Sequence, residues 1–439
     1  MTLCEDLTRF LPSRGFRGSS PQPTAEHESD QTPVKLPLDV LQDIFEYLDG
    51  DSSALSNCAL AGRPLLPIAR SSLYRAITLS GDYIRTAELL SLTLKAEPTL
   101  GTLVKSLTIS QYTLKHTSAP HLAMHSARLP FDRMSELRSL TLRRVRIQDG
   151  HDLASIVASL RGLETLTIHY CIGFGFGPPP TSASSENQDV KQFPALQELS
   201  IREGLWGYGH FAETLLSRYS AIFERLQVLD VTMHGTPAIV WVPAIRIAGE
   251  HVRSVSMDMV DRSSRQSAAN LEPTLEAEIS GYKSDHAYFL EYLLSCSSLQ
   301  TLRLKYRPNM VWDETESAEF LEAICSVLER HPPPFPALEH LELGMVDRQG
   351  RMVGAAQAHL ARLAKTLLDS HRYPHFRRLT LRVRQQYQQH DEPFAFWQEL
   401  RDPITDKAEE IGKRWRQAFR AFAEAPSVEL DVVVQTATS

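Results

Sequence analysis

The chain has 439 residues, a formal net charge of −7 and an isoelectric point near 6.2. That balance excludes a nucleic-acid binder working through bulk electrostatics, so no nucleic-acid partner is expected. A hydrophobic content of 42% is ample for a core, while 23% charged residues is ordinary.

Residues 1–33 mix Pro, Ser, Gly and charges with little periodicity, and are expected to be disordered. Residues 34–75 read as a compact three-helix segment. Leu36 precedes a proline and so is extended, and Pro37 suits the start of a helix because no backbone donor is needed there. Leu41, Ile44, Phe45 and Leu48 follow at i, i+3, i+4 and i+7, making one apolar stripe. Asp49-Gly50 stops that helix. Ser52 or Ser53 caps a second, carrying Leu55, Cys58 and Ala59. Gly62 and Pro64 break the chain again before a third, through Leu66, Ala69 and Leu73.

Leu36-Pro37, Ile44-Phe45-x-x-Leu48, and Asn57-Cys58-Ala59-Leu60 running to Leu65-Leu66-Pro67 together resemble an F-box. The form is that of fungal proteins whose box runs straight into leucine-rich repeats. The resemblance covers about a tenth of the chain. It departs from the pattern at Ala61-Gly62, where the family usually has Val-Cys, and at Leu65, where it usually has Trp. It implies docking of a Skp-family adaptor, and through it a cullin, by Leu36, Pro37, Leu41, Ile44, Phe45 and Leu48, with Leu65 and Leu66 adding a second contact.

From residue 76 onward one cassette recurs, apolar-x-x-Leu-x-apolar. It reads Val104-Leu107-Ile109, Leu137-Leu140-Leu142, Leu163-Leu166-Ile168, Leu196-Leu199-Ile201 and Leu226-Leu229-Val231. It continues as Val252-Val255-Met257, Leu299-Leu302-Leu304, Leu338-Leu341-Leu343 and Phe376-Leu379-Leu381. Ile77 with Leu79, and Val428 with Leu430 and Val432, flank the series. Alternation is a strand signal, and recurrence at a broadly similar interval is a solenoid signal. Helical patterns lie between: Ile84 to Leu94, Leu153 to Leu160, Phe211 to Phe223, Phe289 to Leu294, Phe320 to Leu328 and Leu360 to Leu368. The expected fold class is α/β: three N-terminal helices, then residues 76–439 as a curved leucine-rich-repeat-like solenoid with parallel strands and right-handed crossovers. The repeats are long and irregular against the ~20–29 residues of tidy leucine-rich repeats, which resembles the degenerate repeats of F-box proteins.

Three stretches interrupt the pattern: Gly173–Asn187, Asp261–Asn270 and Gln385–Pro393. Over 404–425, Ile404, Ala408, Ile411, Trp415, Phe419 and Phe422 step by three and four, giving an amphipathic helix that caps the last repeat.

No phosphate-binding glycine loop, G-x-S-x-G elbow or metal-ligand spacing stands out, so neither enzymatic chemistry nor a cofactor is expected. His116, His121 and His125 lack an acidic partner, and Pro120 interrupts any helix between them. The cysteines Cys4, Cys58, Cys171, Cys296 and Cys325 are scattered without a C-x-x-C pair, which suggests a reducing compartment. No run approaches ~18 apolar residues and no signal-peptide core opens the chain, so the expected location is cytoplasm or nucleus, without a membrane partner.

The resemblance implies the substrate-recognition subunit of a Skp–cullin–F-box ubiquitin ligase, which works by proximity. The alternatives are a scaffold of the same build uncoupled from ubiquitylation, and an enzyme with an unrecognised site. Strand parity places the leucines inward and gives Thr108, Thr141, Thr167, Ser200, Asp230, Ser256, Arg303, Glu342 and Thr380 as one row on the other face. Arg303, Lys305, Arg307, Arg378, Arg382 and Arg384 share that face in the C-terminal third. Guanidinium groups bind paired oxygens, so this cluster suits an acidic or phosphorylated protein substrate.

Overall fold

A computed structural model describes residues 36–48, 50–80, 83–110, 129–145, 147, 150–171, 194–202, 208–232, 238–260, 285–307, 314–347, 352–386, 401–418, 420–425 and 428–437. The segment before residue 34, the Gly173–Asn187 and Asp261–Asn270 excursions, and His116, His121 and His125 lie outside these residues. Contacts divide the chain into two units, one ending at Val145 and one beginning at Arg146.

The first unit opens with α1 (Leu38–Tyr47), α2 (Ser52–Ala61) and α3 (Leu66–Arg75). Pro37 stands immediately before α1, and Asp39 meets the positive end of the helix dipole. Gly50, at φ +90, makes the left-handed turn between α1 and α2 that a side chain would disfavour. Asp51, and neither serine after it, caps α2, its carboxylate accepting from the Ala54 amide at 2.9 Å. Phe45, Leu55, Ala59 and Ala69 form the core of these helices, with Leu48, Cys58, Leu65, Leu66, Ile68 and Leu73 packed around it. There follow β1 (Ala76–Ser80), α4 (Tyr83–Ala96), β2 (Ser106–Ser110) and β3 (Ser139–Arg143). These strands pair in parallel, Ile77 against Leu107 and Leu107 against Leu140.

The second unit repeats strand and helix. It runs α5 (Gly150–Ser159), β4 (Thr165–His169), β5 (Glu198–Arg202), α6 (Tyr208–Arg218), β6 (Val228–Thr232), α7 (Val242–Ala248) and β7 (Ser254–Val260). It continues with α8 (Asp285–Leu293), β8 (Thr301–Arg307), α9 (Glu314–Leu328), β9 (His340–Asp347), α10 (Met352–Leu367) and β10 (Arg378–Gln386). Last come α11 (Arg401–Ala418), α12 (Arg420–Ala423) and β11 (Glu429–Ala437). From β4 to β11 each strand pairs in parallel with the next in sequence.

Two backbone devices hold this register. One residue ahead of β6, β7, β8 and β9, an amide donates to the equivalent carbonyl of the previous repeat: Gln227 to Gln197, Arg253 to Gln227, Gln300 to Arg253 and Glu339 to Gln300, each at 2.8 Å. Before that lies a tight turn in which the first apolar residue of the cassette donates three residues back, as Leu299 does to Cys296 at 3.1 Å and Leu338 to Phe335 at 3.1 Å. The residue three positions upstream is itself buried apolar in Leu160, Phe223, Cys296, Phe335 and Tyr373. The repeating unit is therefore longer by one apolar position than the cassette read from sequence. With register fixed, the paired leucines stack: Leu302, Leu341 and Leu379 are 0–1% exposed. Fully burying a large apolar side chain contributes about 1.5–3 kcal/mol, so each strand adds several such terms.

Three elements differ from expectation. Val242–Ala248 is an extra helix, with Trp241 and Ile245 fully buried. Gln385 and Gln386 belong to β10 and not to an excursion, while residues 387–400 lie outside the described set. The C-terminal helix begins at Arg401, three residues early, and packs on β11, where Gly412 sits against Val434. Trp415 and Phe422 are fully buried, as a cap requires.

Candidate functional site

Two surfaces stand out, one in each unit. On α1 the adjacent positions 44 and 45 take opposite roles. Phe45 is 3% exposed and points into the three-helix core, with Leu41 and Leu48 half-buried beside it. Ile44 faces away and is 44% exposed; Leu36 is 49% and Tyr47 95% exposed, with Val40 and Pro37 also outside. Val40, Ile44 and Tyr47 step by four and three, so they line one side of the helix, and Leu36 lies just ahead of its first turn. Sequence reading named Leu36, Pro37 and Ile44 but missed Val40 and Tyr47. It also grouped Phe45 with them, whereas Phe45 holds the segment together. Leu65 and Leu66 are half-buried against the same core.

The second surface lies on the non-leucine face of the strands. Register sets Thr167, Ser200, Asp230, Ser256, Arg303, Glu342, Thr380 and Asp431 in one row across β4 to β11, as strand parity requires. A concavity of about 690 Å³ opens over this row, between His169 and Asp431. Its walls are polar and charged, which suits a polar chain better than an apolar small molecule.

The arginines here are not bare. Arg382 donates through Nε to Glu342 at 2.5 Å, and Arg303 Nε lies 3.5 Å from the other oxygen of the same carboxylate. One carboxylate, 5% exposed, thus sits between two guanidinium groups. Arg202 holds Asp230 in the same manner, its Nε at 2.7 Å and its Nη2 on the same oxygen. Arg378 reaches Glu429 at 3.7 Å and Asp431 at 3.6 Å. Lys305 makes no ion pair among the described residues. Its stem crosses the backbone of Gly344, where an added Cβ would meet Lys305 Cγ at 2.8 Å. Arg307 and Arg384 occupy the next positions along β8 and β10.

His340, two residues before Glu342, lies in the concavity and shares a hydrogen bond with Thr380 Oγ1 at 3.0 Å. Burial, and then the Arg303 guanidinium, hold its pKa below the ordinary imidazole value, Arg378 and Arg382 acting the same way and Glu342 opposing them. It therefore adds no charge at neutral pH. Parity from Glu342 places it on this face, so it was within reach of sequence reasoning.

Two of the buried cysteines are unsuited to nucleophilic work. Burial pushes the Cys296 thiol up to about 11 and the Cys325 thiol up to about 12, far from the thiolate a nucleophile needs. No group of three His, Cys, Asp or Glu side chains among the described residues is arranged to hold a metal ion. No helix among them is long and apolar enough to cross a membrane.

In comparison with known proteins, the chain matches no protein-family model and no curated protein sequence.

Proposed function

We propose that the chain is a recruiting subunit: α1 docks a Skp-family adaptor, and the polar face of the second unit takes the protein to be ubiquitylated, an acidic or phosphorylated one. The observation that carries this reading is the division of labour on α1. A segment whose own core is satisfied by Phe45, Leu55, Ala59 and Ala69 still presents Leu36, Val40, Ile44 and Tyr47 to water. An ordered apolar row on so small a unit is the signature of a partner surface. The F-box resemblance, which includes Leu36 and Ile44 of this row, supplies the partner's class. On this reading residues 34–75 are the F-box, and residues 76–439 are a leucine-rich-repeat-like substrate domain closed by the cap helix.

No bond chemistry falls to this chain. Holding a substrate near a ubiquitin-charged enzyme raises the effective concentration of its lysines, a gain that reaches millimolar levels for short tethers. The test is recovery of adaptor and cullin with the full chain. Ile44→Asp combined with Tyr47→Ala removes both from the purified material while the thermal midpoint stays put, since neither side chain belongs to the core. Recovery unchanged in that variant refutes the docking face. Adaptor recovered without any cullin makes the chain a scaffold instead.

A further inference from the structure

We infer that β11 is a docking edge for a second copy of this chain, the two β11 strands pairing antiparallel across a two-fold axis. This role is separate from adaptor docking and substrate capture.

Strand order leaves β11 at the end of the sheet, paired with β10 over all nine residues from Glu429 to Ala437. The Glu429 amide donates to the Arg377 carbonyl at 2.7 Å. In a parallel ladder both backbone groups of a residue aim at the same neighbour, and successive residues alternate. Glu429, Asp431, Val433, Gln435 and Ala437 therefore bond toward β10. Leu430, Val432, Val434 and Thr436 aim their N–H and C=O groups the other way, where no strand meets them among the described residues.

This edge is also unsealed. The inward residues of β10, Leu379, Leu381 and Val383, are 0% exposed, and those of β1, Ile77 and Leu79, at most 1%. Leu430, Val432 and Val434 stand beside their β10 partners yet stay only half-buried, even with Gly412 of α11 against Val434. Exposed edges are commonly blunted by lysine, proline or a bulge. Residues 432–437 read Val-Val-Val-Gln-Thr-Ala, and the register with β10 runs through them without a break.

The pattern of charge selects a second copy as the occupant. Both acidic residues, Glu429 and Asp431, stand at the start of the strand, and residues 432–437 carry no charge. Antiparallel pairing centred on Val433 sets Glu429 opposite Ala437, Asp431 opposite Gln435 and Val432 opposite Val434, with Val433 facing itself. Each carboxylate then meets an uncharged position. Arg378, 3.7 Å from Glu429 and 3.6 Å from Asp431, offsets their charge from the β10 side. A parallel copy in register would instead set each carboxylate against its own like, which is unfavourable. Centring on Val433 also matches the open-edge residues with one another, giving roughly eight main-chain hydrogen bonds. An interface this short is smaller than a standard one, so the dissociation constant is expected near about 10 μM.

The experiment is sedimentation velocity of the full chain from about 1 to about 200 μM, with a monomer–dimer equilibrium expected. A mass that stays monomeric throughout, or that grows beyond two copies, overturns the pairing. Val433→Lys and Val433→Glu each weaken self-association by at least about tenfold, because each sets like charges opposite one another. An equimolar mixture of the two restores it, since residue 433 faces itself in this register. Dimers that survive both variants, or a mixture that stays monomeric, overturn the proposal. Thermal midpoints show whether each variant is folded. Hydrogen exchange on the parent chain decides without any substitution: the Leu430, Val432 and Val434 amides are expected to slow as concentration rises. Exchange that is slow at every concentration means that another segment of the same chain covers the edge, and exchange that is fast at every concentration means that nothing does; either overturns the proposal.

Discussion

The three N-terminal helices and the strand array of the second unit handle apolar surface in opposite ways. Every inward position of the cassettes in the second unit is sealed: Leu229, Leu302, Leu341 and Leu379 are at most 1% exposed, and the opposite face is polar throughout its central row. In the helical segment, α1 buries Phe45 yet leaves Ile44 beside it in water. A strand separates its two faces by simple alternation, so one face is free for polar work without loss to the core. A short helix turns ~100° per residue, and two neighbouring apolar positions can serve two surfaces, one internal and one external. On the function proposed above, recognition in the first region is apolar and in the second charged.

The contrast can be broken most forcefully in the cores. Phe45→Ala and Leu341→Ala empty fully packed sites and are expected to cost about 3–5 and 2–5 kcal/mol respectively, read by denaturant unfolding. Ile44→Ala, one residue from Phe45, stays within about 0.5 kcal/mol because it removes an exposed side chain. If Ile44→Ala destabilised as much as Phe45→Ala, the two-surface description of α1 would be wrong.

Truncation sharpens the comparison at the other end of the chain. The cap helix α11 packs on β11, and Phe422 of α12 lies against Phe376, so a chain ending at Arg401 leaves the Phe376–Leu381 repeat without its cover and loses solubility. Equal solubility and heat stability of the shortened chain would remove the cap role.

A smaller effect belongs to the helices outside the strands. Arg362 donates to Glu329 at 2.7 Å and also pairs with Glu322, and hydrogen bonds from Arg362 hold the Glu329 carboxyl below the usual range. All three side chains are more than a third exposed, so Arg362→Ala is expected to lose only about 1 kcal/mol or less, and less still in high salt.

The smallest expected effect concerns acidification. The imidazole of His340 is held below its ordinary value of 6.5 in the folded chain, so below that pH the unfolded chain binds more protons there. Stability from this source is complete above about pH 6.5 and declines as pH falls through it. Comparing thermal midpoints at neutral and mildly acidic pH should show a smaller decline for His340→Gln than for the parent chain. An identical decline would exclude His340 as a contributor.

Much of the strand architecture could be read directly, because alternation and a recurring leucine fix both the strand and its inward face. Among the described residues, eleven strands lie where the nine cassettes and the two flanking segments stand. Parity alone also placed Arg303, Glu342 and Thr380 in one row. The helix at Val242–Ala248 escaped notice because Ile239, Val240, Trp241 and Val242 make a continuous apolar run with no period, and Pro243 reads as a break when it is a first-turn residue. On α1 the periodic stripe was visible, but periodicity cannot say which of Ile44 and Phe45 turns inward; only the position of α2 and α3 decides that. The sharing of Glu342 between Arg303 and Arg382 depended on side-chain reach, which no spacing rule contains.

The most direct test of two separate recognition surfaces is one crossed purification. The full chain, an Ile44→Asp/Tyr47→Ala variant and a Lys305→Ala/Arg382→Ala variant are each isolated from the same cells, and bound adaptor, cullin and phosphoproteins are quantified by mass spectrometry. The account predicts that the first variant loses adaptor and cullin but keeps its phosphoproteins, and that the second does the reverse. Loss of both classes together in either variant, with the chain still folded, would contradict it.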